Sequence, residues 1–93
     1  MNQLILQAIN ESRLISFSYK GSNRLVEPHT YGQRSDGLDA LCAWQLSGGS
    51  GSDFRLFFAN EMSALKVEDQ TFRSPRQNYR RGDSRFVHIY AEL

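Results

Sequence analysis

Cysteine is almost absent from this 93-residue chain, with Cys42 standing alone. No intrachain disulfide can form, and Cys-rich metal clusters are excluded. Such usage suits a reducing compartment, so a cytoplasmic location is expected. Histidine is nearly as scarce, and His29 and His88 lie far apart. These residues do not space out as a metal site or as a nucleophile with its base. The run Glu27-Pro28-His29 offers two ligands at most. A phosphate loop is missing too, because Gly48-Gly49-Ser50-Gly51 has neither the lysine nor the following helix that such a loop needs. The chain therefore reads as a non-enzyme without cofactor or metal, and a small hydrolase is the weakest of three readings. Apolar runs are short and none reaches the length of a membrane span. The opening MNQLILQAINESR lacks the basic start and the apolar stretch of a secretory signal.

What is present is enough for one packed domain spanning residues 1–93. Hydrophobic residues make up 40% of the chain and aromatics 12%, which argues against disorder. A chain of this size buries only about 60–65% of its unfolded surface, so the core must be thin. Charge is unevenly placed. Five arginines (Arg73, Arg76, Arg80, Arg81 and Arg85) face one acid, Asp83, within residues 73–85. The remainder carries six basic and nine acidic residues, so positive charge gathers near the C-terminus.

Periodicity divides the chain. Residues 1–12 predict an N-terminal helix, with Leu4, Ile5, Ala8 and Ile9 on one face and Asn2 as its cap. At Leu14 the period changes to two, with Ile15, Phe17 and Tyr19 alternating with Ser16 and Ser18. Lys20-Gly21-Ser22-Asn23 is a turn by its chemistry. A second strand starts at Leu25 and resumes over residues 30–34. Pro28 cannot donate to a ladder, so it marks an edge or a bulge. Asp36-Gly37 makes another tight turn. Residues 38–46 predict the most buried strand, residues 47–52 a solvated glycine-rich connector, residues 54–59 a fourth strand, and residues 63–72 hold a fifth. Turns at intervals of about ten residues predict a small antiparallel barrel of about five strands over residues 13–72. Residues 73–85 read as a polar arginine-rich loop, and residues 86–91 as a last strand closing the sheet. Trp44, Phe54, Phe57, Phe58 and Phe72 are expected in the core, and Cys42 is expected to act there as a small hydrophobe.

A particular combination of these residues is familiar. It runs from Arg13-Leu14-Ile15-Ser16-Phe17-Ser18-Tyr19 through Gly21, Arg24 and Val26-Glu27-Pro28-His29. It continues with Tyr31, the Gly37 turn, Ala43-Trp44, Arg55-Leu56-Phe57, Met62-Ser63-Ala64-Leu65 and Phe72. This pattern covers about two-thirds of the chain and resembles the WYL domain. The tripeptide that gives the family its name is replaced by Asp39-Ala40-Leu41, where only the leucine remains.

The resemblance implies a mainly β fold with one N-terminal helix, an Sm-like, SH3-type barrel. It also implies a part in bacterial transcriptional regulation, where such domains sit behind a winged helix and sense nucleotides or single-stranded nucleic acid. A winged helix is not expected within these residues, so the chain reads as a stand-alone member. The resemblance points to His29, Tyr31, Arg34 and Arg55 as the ligand pocket.

Residue chemistry widens that set to Arg13, Tyr19 and Arg24. Arginine grips phosphate through paired hydrogen bonds, while tyrosine and histidine offer flat faces to bases. The plainer alternative makes them surface arginines and half-buried barrel tyrosines. Arg73, Arg76, Arg80 and Arg81, with Tyr79 among them, form a secondary basic patch suited to a nucleic-acid backbone. Its plainer alternative is a solvated tail.

Two function classes remain. One is a ligand-sensing regulatory domain, in transcription or defence, that binds a nucleotide or single-stranded nucleic acid and signals to a partner protein or another copy of itself. The other is an SH3-like protein-interaction module with no nucleic-acid ligand. Unpaired edge strands allow a homodimer in either case.

Overall fold

A computed structural model describes residues 1–49 and 51–93. It places one helix, α1 (Gln3–Asn10), ahead of six strands: β1 (Arg13–Tyr19), β2 (Ser22–Arg34), β3 (Asp39–Ser47), β4 (Asp53–Phe58), β5 (Ser63–Thr71) and β6 (Phe86–Glu92). A single turn of 3-10 helix, Ala59–Glu61, links β4 to β5. The fold is thus mainly β with one N-terminal helix, as the periodicities predict.

All six strands join one antiparallel sheet, five of them in the order β4-β3-β2-β1-β5 and β6 paired to β2 off this path. Strand β2 is its axis. Its first half pairs with β1, in a register running from Ile15–Val26 to Tyr19–Ser22. Its second half pairs with β6, from Thr30–Glu92 to Arg34–Phe86. Strand β3 follows it along the other side. The last strand therefore extends the middle of the sheet and does not close it. Among the described residues β4 and β5 form no ladder with each other, so the sheet stays open.

Local chemistry explains the turns and the bend. Lys20 and Gly21 both have positive φ, 49° and 81°, as a two-residue turn twisting with its flanking strands requires. Asn2 caps α1, its side-chain oxygen accepting from the Leu4 and Ile5 amides at 2.9 and 3.2 Å. In β2 the pairing with β3 shifts between Pro28 and Thr30, which makes His29 the extra residue of a bulge. Proline has no N–H for the ladder, so the bulge falls where a pairing position is already lost.

The helix covers one face of the sheet. Ile5, Ala8 and Ile9 pack on Ile15, Phe17, Val26, Tyr31, Leu41 and Phe57. Phe17, Tyr19 and Phe57 meet edge to face, with centroids 5.0–6.1 Å apart. Leu4 departs from the expected face and is exposed.

The aromatic residues do not form the one core that was expected. Phe57 is buried, whereas Trp44, Phe54, Phe58 and Phe72 are only half-buried. Alternation on β4 is the reason. Phe57 points into the helix-covered core, while Phe54, Leu56 and Phe58 point to the other face with Ala40, Cys42 and Phe86. The glycine-rich connector is also less free than expected. Gln45 is fully buried and donates to the Gly51 carbonyl at 3.1 Å. Gly48, at φ +93°, lies against Asn23 and Arg24, where a side chain would not fit. Ser50 of that connector lies outside the described residues.

The seat of β6 on β2 is testable at Gly32. A methyl group there would overlap the His88 carbonyl and come within 3.0 Å of the Phe86 ring. Gly32→Ala is expected to destabilise the fold by about 1–3 kcal/mol, as overpacking does. Urea unfolding measures this, and an unchanged midpoint would mean that β6 does not lie on β2.

Candidate functional site

The face of the sheet opposite the helix carries the most distinctive chemistry. Residues 73–85 are not a solvated tail but a strap docked across this face. Glu27 anchors its start. This carboxylate is 6% exposed and takes paired hydrogen bonds from Arg76 Nε and Nη2 at 2.7 and 3.0 Å. The Arg76 guanidinium lies over the Trp44 ring, 5.0 Å from its centroid.

His29 is the second anchor. Its ring lies among Phe54, Phe72 and Tyr79, with centroids 5.1, 5.9 and 4.9 Å away, and is fully buried. Nε2 accepts from the Arg76 backbone N–H at 3.0 Å, and Nδ1 lies 2.8 Å from the Glu27 carbonyl. A carbonyl only accepts, so Nδ1 carries the proton and the ring is neutral. Burial lowers the proton affinity of His29 below its ordinary value; the Glu27 carbonyl and carboxylate oppose this, and the Arg76 charge adds to it.

Further along the strap, Tyr79 Oη sits 3.2 Å from Thr30 Oγ1 and 3.4 Å from the Leu93 carbonyl. Burial raises its phenol above the ordinary value. Arg81 pairs with Glu92 at 3.2 Å, and Glu92 also accepts from the Gly82 amide at 3.0 Å. Arg85 chelates Asp83 at 2.6 Å and reaches Cys42 Sγ at 3.3 Å. The hydrogen bonds from Arg85 hold the Asp83 carboxyl below the usual carboxylate range. Cys42 is buried, as expected of a small hydrophobe, and burial pushes its thiol up.

Between strap and sheet run two adjoining hollows that share Phe54 and Asn78. One, of about 410 Å³, is lined by Cys42, Phe54, Tyr79, Arg80 and Arg85, among others. The other, of about 380 Å³, is lined by Trp44, Asp53, Arg76 and Gln77. Together they form a groove with aromatic walls and arginines along one lip.

The structure divides the sequence-predicted site residues. Arg34 lies on the groove face, with its guanidinium 5.2 Å from the Phe58 ring centroid and 3.7 Å from Asp36. Arg76, Arg80 and Arg81 belong to the strap. Arg13 is committed elsewhere, donating to the Glu68 carbonyl at 2.8 Å and to Glu11 and Asp69, so it ties β1 to β5. Arg24 donates to Gln45 and to the Tyr19 carbonyl at 3.0 and 3.1 Å, beneath the glycine connector. Arg55 lies 3.8 Å from Asp53. Tyr19 is buried, its hydroxyl accepting from the Phe58 amide. Tyr31 is buried beside Tyr90, its hydroxyl accepting from the Asn2 amide. His29, Tyr19 and Tyr31 therefore do not offer an open face for stacking. Arg73 and Arg80 are exposed and have no acidic partner among the described residues, and Arg80 lines the groove.

Hydrophobicity places Phe54 and Trp44 in the core, yet they wall the groove. The alternation Phe54-Arg55-Leu56-Phe57-Phe58 held the available signal, since a strand with aromatics on both faces covers something on both.

Among the described residues, no group of three or more His, Cys, Asp and Glu could hold a metal ion, and no helix is long and apolar enough to cross a membrane.

The anchor can be tested by removing one partner. Arg76→Ala strands the buried Glu27 carboxylate and is expected to cost about 1.5–3 kcal/mol, the range for hydrogen bonds to charged groups. Because Arg76 is part-exposed, the lower end applies. Replacing both partners with leucine is expected to cost less than Arg76→Ala alone. Urea unfolding of the two variants decides the order, and equal or reversed losses would contradict the anchor.

No family model, curated protein or solved structure matches this chain.

Proposed function

We propose that the protein is a non-enzymatic ligand-sensing regulatory domain that binds a nucleotide or single-stranded nucleic acid in the groove between the strap and the β3–β4 face. The observation that carries this reading is Arg80, a cation with no acidic partner among the described residues, set in a hollow walled by Phe54 and Tyr79. Phosphate and base need that pairing of a guanidinium and a flat ring. Hollows of about 410 and 380 Å³ fall within the range of small-ligand sites, and they adjoin at Phe54 and Asn78. Arg34, on the same face, extends the cationic margin.

This proposal moves the ligand away from His29, Tyr31 and Arg55, which the WYL resemblance favours, and onto the strap. It retains the family reading as a proposal: a WYL-like domain of Sm-like, SH3-type architecture whose sheet stays open. The role would lie in transcriptional or defence regulation, with the bound state passed to a partner protein or a second copy.

A protein-interaction module is the second reading. The outer edge of β4, unpaired among the described residues, favours it, since a free edge accepts an extended segment of a partner.

Titration of labelled single-stranded DNA and RNA oligomers at two salt concentrations separates the two. Binding is expected at low salt, with affinity falling by roughly 0.7 log units per log unit of salt for each phosphate engaged. Arg80→Ala should weaken binding several-fold, and Arg34→Ala less, while Arg80→Ala leaves the unfolding midpoint in place. Absence of binding at low salt for oligomers and mononucleotides alike would reject the proposal and leave the protein-interaction reading.

A further inference from the structure

We propose that residues 73–85 form an acid-released latch, in which protonation of His29 frees the Arg76 end of the strap and opens the groove over Trp44 and Phe54. The inference does not depend on what the groove binds.

The two ring nitrogens of His29 have different partners. Nδ1 must keep its proton to satisfy the Glu27 carbonyl at 2.8 Å. An added proton can therefore enter only at Nε2. That nitrogen faces the Arg76 backbone N–H at 3.0 Å, which is itself a donor. Protonation sets two donors against each other and removes the hydrogen bond that seats the strap. It also creates a cation that is fully buried. Such a site relaxes by letting the ring reach water, and the ring reaches water only if the strap lifts.

The surroundings decide the sign. From its own strand His29 faces Glu27, whose carboxylate is already paired with Arg76. From the strap it faces the Arg76 cation and the neutral Tyr79 phenol. Phe54 from β4 and Phe72, beyond the end of β5, contribute only apolar rings. Burial outweighs the attraction of the Glu27 carbonyl and carboxylate, so the latched state binds the proton more weakly than a free imidazole does. With the latched affinity lowered, the latch is fully held above the free value of about 6.5. It weakens progressively as pH falls from there toward the lowered value. The far end of the strap has independent ties to the sheet, Arg81 and the Gly82 amide to Glu92 and Arg85 to Cys42. Release is thus a local opening at the Arg76 end, and the sheet persists.

Trp44 is the sole tryptophan and lies directly beneath Arg76, which makes the movement visible. The full chain would be titrated from pH 8 to pH 5 while Trp44 emission, the His29 ring signal and backbone amide signals are followed by fluorescence and NMR. The expected result is one midpoint below 6.5, shared by the His29 ring, Trp44 emission and the amides of residues 76–79. Amides of β1, β2 and β3 away from the bulge should hold their positions.

His29→Gln is expected to abolish the transition. His29 titrating without movement of Trp44 and residues 76–79 would overturn the proposal. So would loss of the whole sheet at the same midpoint, or a transition that survives in His29→Gln. If His29→Gln fails to fold, coincidence of the ring and strap midpoints in the unaltered protein decides the question.

Discussion

Pro28 has no amide hydrogen, and much of this molecule follows from that. A strand in the middle of a sheet must hydrogen-bond on both sides, and β2 does so for most of its length. At Pro28 one donor is missing, and the register against β3 slips by a residue just beyond it. The slip lets β2 change partners, serving β1 before the bulge and β6 after it. His29, two residues after Glu27, faces the same side as that carboxylate, away from the helix-covered core, and Phe54, Phe72 and Tyr79 close around it there.

The two faces of the sheet are held by different forces. The helix side is apolar and interlocked, with Phe17, Tyr19 and Phe57 edge to face beneath Ile5 and Ile9. The strap side is held by a buried carboxylate, a neutral histidine and a few directed hydrogen bonds. Apolar packing is indifferent to pH, whereas directed polar contacts depend on each partner's protonation state. A domain with one face of each kind can keep its fold while altering the cover on the other face. That asymmetry underlies both the groove proposed as a ligand site and the latch proposed to open it.

Arginine illustrates how context assigns the same side chain to different tasks. Arg13 braces β1 against β5, Arg24 supports the glycine connector through Gln45, and Arg76 fills the demand of Glu27. Arg80 has no such partner among the described residues and faces the groove. In sequence these four look alike. Their roles separate only when the strands bring carboxylates and carbonyls from 21 to 55 residues away into reach of three of them.

The elements themselves were legible. Alternation at Ile15, Phe17 and Tyr19, the Lys20-Gly21 turn, the Asn2 cap and the disruption at Pro28 all depend on neighbours a few residues away, and short-range chemistry is what a sequence records directly. By itself the sequence determined the helix, the strands, their turns and the place where β2 had to break. Tertiary structure alone decided the rest. The last strand went to the middle of the sheet and not to its closure; Trp44 and Phe54 became walls of a groove; the arginine-rich segment became a strap. Each of those outcomes is set by a partner distant in sequence, Glu27 for Arg76 and β2 for β6, and such pairings appear only once the chain has folded.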